Sequence, residues 1–145
     1  MDAPSSTCDT ERVNALLIVG SVFVGIAAAL HVLFFYFESV IWTRPSTWKR
    51  FGIRSQEDAE TTKPMAYNQG WYNLFLSIGV FSGIALMSAG NVAVGAALAL
   101  FGALSMVAAA TVLITSNPKL ARSALIQGGA PLLGSILLVA GLASA

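Results

Sequence analysis

A single histidine and an acidic residue lie near the end of a long apolar segment, where ionisable groups are uncommon. His31 and Glu38 are seven residues apart, so on an α-helix their side chains share a face about 10 Å apart along the axis. Ionisable groups at membrane depth are costly and normally face the interior of a bundle or a water-filled cavity. Because histidine and carboxylate side chains transfer protons in catalysis, we predict His31 and Glu38 as catalytic residues.

Amide side chains that could complete a site begin the next apolar segment. Gln69 and Asn73 are four residues apart and share a helical face, as do Asn68 and Tyr72. This segment enters the membrane on the side where the first apolar segment leaves it. Its amides are therefore expected at the same depth as His31 and Glu38. The predicted ligand-binding residues are Tyr36, Trp42, Asn68, Gln69, Trp71, Tyr72, Asn73 and Gln127.

Aromatic and charged residues are concentrated in one part of the chain. Residues 31–73 contain all three tryptophans, all three tyrosines and nine of the fifteen charged residues. Aromatic belts usually occur at both membrane interfaces, but the opposite end has no Trp or Tyr. Aromatic residues on one side only, beside polar groups, favour the walls of a pocket. A one-sided aromatic belt remains an alternative. For Glu38, the alternative is a pairing with a basic residue of the loop.

Further polar groups are expected at the same end of the molecule. Thr111 and Thr115 would add hydroxyls, and Gln127 lies one turn inside its segment. Pro131 cannot donate to the carbonyl of Gln127, so a kink is expected there. A purely structural role, in which amides and hydroxyls bond between helices, remains open for each of these residues.

The elements that must position these residues are membrane helices. The 145-residue chain is 56% apolar and 10% charged, whereas soluble domains average about 25% charged residues. A membrane span needs about 20 apolar residues. We therefore predict an all-α integral membrane four-helix bundle, one domain over residues 1–145 with a loop at 39–66. The spans are expected at about 13–37, 71–89, 92–114 and 121–143.

Two features of the predicted spans have competing interpretations. A cleaved signal peptide is disfavoured because the first apolar run continues through Phe37. The GxxxG pair Gly79 and Gly83 permits close helix packing, within the bundle or between protomers. We favour packing within the bundle.

Basic residues predict the orientation. Seven of the eight lie on one side of the four-span arrangement and Arg12 lies on the other. The positive-inside rule then places loops 39–66 and 115–120 in the cytoplasm and both termini outside an inner or plasma membrane. Residues 46–52 are predicted as a short interfacial helix, with Trp48 and Phe51 among lipid headgroups and Lys49 and Arg50 facing phosphate.

Several function classes are excluded or lack support. A net charge of +1 argues against nucleic-acid binding. With one histidine and one cysteine, Cys8, the chain lacks the usual ligands of a zinc site. For that reason no metal is predicted. The sequence also contains no phosphate-binding loop and no nucleophile elbow, and it does not identify a cofactor.

Two strings resemble a known family. They are His31-Val-Leu-Phe-Phe-Tyr-Phe-Glu-Ser-Val-Ile-Trp42 and Thr62-Lys-Pro-Met-Ala-Tyr-Asn-Gln-Gly-Trp-Tyr-Asn-Leu74. The chain resembles, from Asn14 to the end of the fourth span, small integral membrane proteins filed as domain of unknown function 1304. The resemblance implies a four-span bundle and carries no activity with it.

The sequence favours a membrane protein whose cytoplasmic-side pocket binds a small lipophilic molecule, and leaves open whether it converts that molecule. Two alternatives remain. One is a non-catalytic accessory subunit of a larger membrane complex. The other is a small proton-coupled exporter, working as a homo-oligomer, with Glu38 as the titrating residue.

Overall fold

The computed structural model describes residues 4–145, with side chains from Cys8 onward, and in this range it contains helices and no strand. The predicted all-α four-helix bundle is confirmed. Residues 1–3 of the N-terminus lie outside the described range. The elements are α1 (Pro4–Phe35), a π-helical turn (Tyr36–Val40), α2 (Pro45–Trp48), α3 (Gln56–Ser88), α4 (Val92–Ser116) and α5 (Ala121–Ala143), with 3₁₀ turns at Lys49–Phe51 and Pro118–Leu120.

The four long helices form a closed ring of neighbours. Helix α1 packs on α3 and α5, and α4 packs on the same two helices from the opposite side. A tight turn joins α3 to α4, and Gly90 takes a positive φ of 89° there, which glycine adopts without strain. We call the end of the bundle that carries segments 41–55 and 117–120 the loop end.

The outer surface of the bundle is apolar. Only 22–33% of the residues in the most hydrophobic window of each long helix are buried inside the protein. Large side chains such as Ile18, Phe101 and Leu125 are 64–71% exposed. The shortest long helix, α5, has 23 residues and is therefore about 35 Å long, enough for a 30 Å hydrocarbon core. These helices make the chain a multi-pass membrane protein.

Small residues let the helices approach closely in the half of the bundle away from the loop end. A Cβ added to Gly83 would lie 2.6 Å from the backbone of both Gly95 and Ala99 on α4. In the described structure, a Cβ on Gly79 would meet no atom within 4 Å. Only Gly83 of the GxxxG pair is therefore a contact position, and its contact is within the bundle.

The long loop is shorter than predicted because α3 begins at Gln56. Residues 56–66, predicted as loop, are helical. Ser55 caps this helix by accepting a hydrogen bond from the Asp58 N–H at 3.0 Å, and acidic residues in the first turn favour the helix N-terminus. With 33 residues, α3 is about 50 Å long, so its charged first turns extend beyond the apolar zone.

The predicted short helix in the loop is present as α2 and the following 3₁₀ turn, but Trp48 is buried instead of lying among headgroups as expected. Trp48 is only 6% exposed, and its Nε1 donates to Gln56 Oε1 at 3.0 Å. Trp42 Nε1 donates to the carbonyl oxygen of Ala59 at 2.9 Å. The indoles therefore attach the loop to α3, because each N–H finds a partner on that helix.

Candidate functional site

A widened turn at the end of α1 presents Glu38 to the bundle interior. The backbone N–H of Ile41 donates to the carbonyl of Tyr36 at 3.1 Å, five residues back. Such π turns occur often at functional sites. Glu38 is 8% exposed and accepts a hydrogen bond from Asn73 Nδ2 at 2.7 Å. This bond joins the end of α1 to α3, as expected from the prediction that Glu38 and Asn73 lie at the same depth.

Close approach of α3 to the π-helical turn depends on Gly70. A Cβ at this position would overlap Ser39 Oγ and lie 3.1 Å from the Cβ of Glu38. Ser39 Oγ also donates to the carbonyl of Tyr67 at 2.9 Å. The alternative pairing of Glu38 with a basic loop residue is not observed, because within residues 8–145 its polar contact is the amide of Asn73.

His31 lies one turn deeper than the π-helical turn and is only 2% exposed. Its Nδ1 is 2.9 Å from the carbonyl oxygen of Ala27. A carbonyl only accepts hydrogen bonds, so this contact assigns the hydrogen to Nδ1. In the neutral imidazole the other nitrogen, Nε2, is then an acceptor. Nε2 has no hydrogen-bond partner among the residues that the structure describes.

His31 and Glu38 both line a cavity of about 640 Å³ at the loop end. We call it the loop-end cavity. It reaches side chains of all four long helices and of the 3₁₀ turn after α2. Its lining residues are His31, Phe34, Phe37, Glu38, Arg50, Phe51, Gln69, Asn73, Ala109, Leu113, Leu120, Arg122, Ser123, Ile126 and Gln127.

The cavity lies next to a tightly packed core. Val24, Ala28 and Val80 are fully buried there against Ala103 and Met106 of α4. Mostly small side chains let the helices pack closely in this part of the bundle. At the loop end the interior positions carry the imidazole, carboxylate and amide groups instead, and the helices leave a space between them.

Five of the predicted site residues meet in this cavity: His31, Glu38, Gln69, Asn73 and Gln127. They come from α1, the π-helical turn, α3 and α5. Helical spacing identified the first four, since residues seven apart and four apart on one helix face the same side, and Gln127 was predicted from its depth in the fourth span.

Three predicted residues lie on the outer surface of the bundle instead. Tyr36 is 43% and Tyr72 60% exposed, and Asn68 is also exposed. Asn68 and Tyr72 each precede a cavity residue by one position, a rotation of about 100° around α3. That rotation turns them away from the cavity.

Two predicted tryptophans also lie away from the cavity. Trp42 is buried between the loop and α3. Trp71 packs edge-on against Phe35, with 5.1 Å between ring centroids, and its indole N–H has no partner in the described residues. The aromatic pocket walls predicted from Trp and Tyr are therefore wrong for this cavity, because those rings pack on other elements or face outward.

Phenylalanines form the aromatic walls. Phe34 meets His31 edge-on, with ring centroids 5.4 Å apart, and Phe37 and Phe51 line the same space. Sequence reasoning missed them, although Phe34 follows His31 by three residues and so shares its helical face. It also missed Ser123, which precedes Gln127 by four residues.

Two arginines border the cavity. The guanidinium of Arg50 lies 5.6 Å from the ring centroid of Phe37, and its Nε donates to the carbonyl of Ser46 at 3.1 Å. Its expected contact with lipid phosphate stays a prediction. Arg122 lines the cavity from the start of α5. Its position depends on the packing of α5 against α1 and α4, which the sequence alone does not show.

The expected hydroxyls of α4 do not contribute. Thr111 Oγ1 donates to the carbonyl of Val107 at 2.9 Å, and Thr115 Oγ1 donates to that of Thr111 at 2.8 Å. Both side chains are exposed and satisfied by their own helix. Helix α5 is continuous from Ala121 to Ala143 and contains Pro131, so the kink expected there stays a prediction.

The arrangement can hold an organic molecule with an apolar body and one polar group. Its volume lies within the range of about 300–1,000 Å³ that is typical of small-molecule sites, and such sites combine apolar walls with a few convergent polar groups. In the described part of the chain, no three His, Cys, Asp or Glu residues lie close enough to hold a metal ion.

Comparison with known proteins identifies a family. The family model described as "Protein of unknown function (DUF1304)" matches residues 25–139, a range that includes every residue lining the loop-end cavity. The family resemblance seen in the sequence is thereby confirmed. No curated protein and no solved structure matches the chain.

Proposed function

The chain belongs to the DUF1304 family, and we propose that it binds a small lipophilic molecule in the loop-end cavity. The observation that carries this proposal is the cavity of about 640 Å³ in which an imidazole, a carboxylate and three amide side chains face three phenylalanine rings. A polar interior used only for packing would close on itself, because unfilled space forfeits contacts on every wall.

Apolar and polar lining residues are expected to contact different parts of the ligand. Phe34, Phe37 and Leu113 offer apolar surface for its body. Glu38 and the amide side chains of α3 and α5 offer hydrogen bonds for its polar group. A molecule of this kind partitions into the bilayer, which surrounds the bundle on its apolar outer face.

If the bound molecule is also converted, proton transfer is the reaction for which the site has the groups. His31 Nε2 is free to accept a proton, and Glu38 lies on the same wall. An isomerisation would need only such a pair, because the proton removed at one carbon returns at another.

The test is to fill the cavity by mutation. Ala109 lines the cavity, whereas its neighbour Ala108, turned by about 100° around α4, does not. Ala109→Phe should displace the ligand, and Ala108→Phe, which places the same ring outside, should not. Native mass spectrometry of the protein purified from its membranes in mild detergent measures the fraction of molecules that carry a bound lipophile.

His31→Ala and Glu38→Gln provide a second arm of the same experiment. Each should lower the retained fraction while the bundle stays folded, as judged by thermal unfolding. Tyr72→Phe, on the outer surface, serves as the control. Equal ligand retention in wild type, Ala109→Phe and both polar variants would refute binding in this cavity.

A further inference from the structure

Two buried groups of the loop-end cavity accept hydrogen bonds. The Nδ1–H of His31 is used by the Ala27 carbonyl at 2.9 Å, so the neutral imidazole offers only the lone pair of Nε2. A ligand group that meets Nε2 must therefore bring a hydrogen. A carbonyl, ether or carboxylate oxygen would face it lone pair to lone pair.

Glu38 reinforces this preference. Its carboxyl group takes one hydrogen bond from Asn73 Nδ2 at 2.7 Å. The carboxyl group keeps unused acceptor positions beside this bond, so a further donor can be accommodated. Because Asn73 directs Nδ2 to Glu38, the other end of its amide, Oδ1, is a third acceptor on the same wall.

Charges of both signs line the cavity, so an ionic ligand of either sign meets a like charge there as well as an opposite one. Glu38 is a buried carboxyl group that would repel a carboxylate or phosphate placed beside it. Arg50 and Arg122 line the same cavity and would repel an ammonium group. An uncharged donor avoids both repulsions.

We propose that the loop-end cavity selects uncharged amphiphiles that carry a hydroxyl group, with the hydroxyl hydrogen donated to His31 Nε2 or to Glu38. This inference rests on the proposed function and names the chemical class of its ligand. The amides of Gln69 and Gln127, which both donate and accept, can satisfy the hydroxyl oxygen.

The experiment compares four photoactivatable probes on the purified full-length protein in nanodiscs. Each is a sixteen-carbon chain with a diazirine at the same carbon, and they end in a hydroxyl, a methyl ether, a carboxylate or an ammonium group. Intact mass gives the labelled fraction at subsaturating probe, and peptide mapping gives the labelled position.

The alcohol should label peptides that line the cavity about tenfold more than its methyl ether, because losing one donor leaves a buried acceptor unpaired. His31→Phe, which removes one of the two acceptors, should lower this ratio, and Tyr72→Phe should leave it unchanged. The comparison of alcohol with ether in the wild-type protein needs no variant, so a folding defect in His31→Phe would not weaken the test.

The outcomes separate this inference from the proposed function. Equal cavity labelling by alcohol and ether, or strongest labelling by the acid or the amine, would overturn the hydroxyl preference and leave lipophile binding intact. If none of the four probes labels residues that line the cavity, the proposed function fails and this inference fails with it.

Discussion

Among the residues that the structure describes, the hydrogen bond between Asn73 and Glu38 is the one side-chain bond that joins two polar residues of the cavity wall across elements. It spans 2.7 Å between α3 and the π-helical turn. Ser77, one turn further along α3, extends the connection by donating to the carbonyls of both Ala28 and Asn73 at 2.9 Å. The cavity wall is thus held by polar bonds in surroundings that supply little competing water.

Removal of the Asn73 amide should show how much this hydrogen bond contributes to the free energy of unfolding. Asn73→Leu leaves Glu38 buried without its partner, and we expect a loss of about 1–3 kcal/mol in the free energy of unfolding. Glu38→Gln keeps an acceptor for Asn73 and should cost less. Unfolding of the detergent-solubilised protein in increasing SDS measures both changes.

A double-mutant cycle separates the bond from other effects of the two substitutions. Combining Asn73→Leu with Glu38→Leu should recover part of the loss, since neither polar group is then left alone. Strictly additive effects would show that the two side chains do not interact.

At the scale of elements, the contact between α3 and the π-helical turn depends on a residue without a side chain. Gly70 faces Ser39 and Glu38 directly. The turn itself widens the end of α1 by one residue, as the bond from Ile41 to Tyr36 shows. Together they place the carboxyl group of Glu38 inside the bundle.

Two glycines of α3 offer a matched pair of substitutions. Gly70→Ala should destabilise the protein by about 1–3 kcal/mol, because the added Cβ overlaps Ser39 Oγ. Gly79→Ala should be neutral or stabilising by up to about 1 kcal/mol, since its Cβ meets nothing and alanine favours helix. Thermal unfolding in detergent measures both; equal effects would contradict the close approach at Gly70.

The attachment of the loop to α3 by Trp42 is a second property at the scale of elements. Trp42→Phe keeps a ring beside Phe51, whose centroid lies 5.2 Å away, but removes the donor to the Ala59 carbonyl. One net hydrogen bond is worth about 0.5–1.5 kcal/mol, so amide hydrogens of residues 45–52 should exchange about two- to tenfold faster.

Hydrogen-exchange mass spectrometry in detergent measures this change. Trp71→Phe is the control, because the indole N–H of Trp71 has no partner among the described residues. The loop should exchange at the wild-type rate in that variant. Unaltered exchange in Trp42→Phe would show that the indole does not hold the loop.

For the whole molecule, charge is distributed unevenly along the bundle axis. Lys49, Arg50 and Arg54 belong to the loop segment, and Lys119 and Arg122 lie at the same end. Arg12 lies at the start of α1, at the opposite end. From the positive-inside rule we expect the loop end to be cytoplasmic, which would open the loop-end cavity toward the inner leaflet.

The single cysteine provides a direct test of this orientation. Cys8 is exposed near the start of α1, so a membrane-impermeant maleimide should label it on intact cells. In the variant Cys8→Ser with Arg54→Cys, labelling should require permeabilised cells, because exposed Arg54 lies at the loop end. The reverse pattern would invert the predicted topology.

Much of the architecture could be predicted because lipid imposes simple rules on sequence. Long apolar stretches with few charges identified the four membrane helices, and spacing on one helix identified His31 with Glu38 and Gln69 with Asn73. The N-terminal part of α3 was missed because its charged and polar residues carry no hydropathy signal, although Ser55 and Asp58 form a capping pair.

The sequence by itself determined the class of molecule, its four membrane helices and most polar residues of the candidate site, because hydropathy and helical periodicity are local properties of the chain. Only the tertiary structure decided which aromatic rings line the cavity, that Arg50 and Arg122 border it and that Thr111 and Thr115 do not take part. Those facts depend on the rotation of each helix about its axis and on the approach of α3 to the π-helical turn at Gly70. Both are set by contacts between residues far apart in sequence.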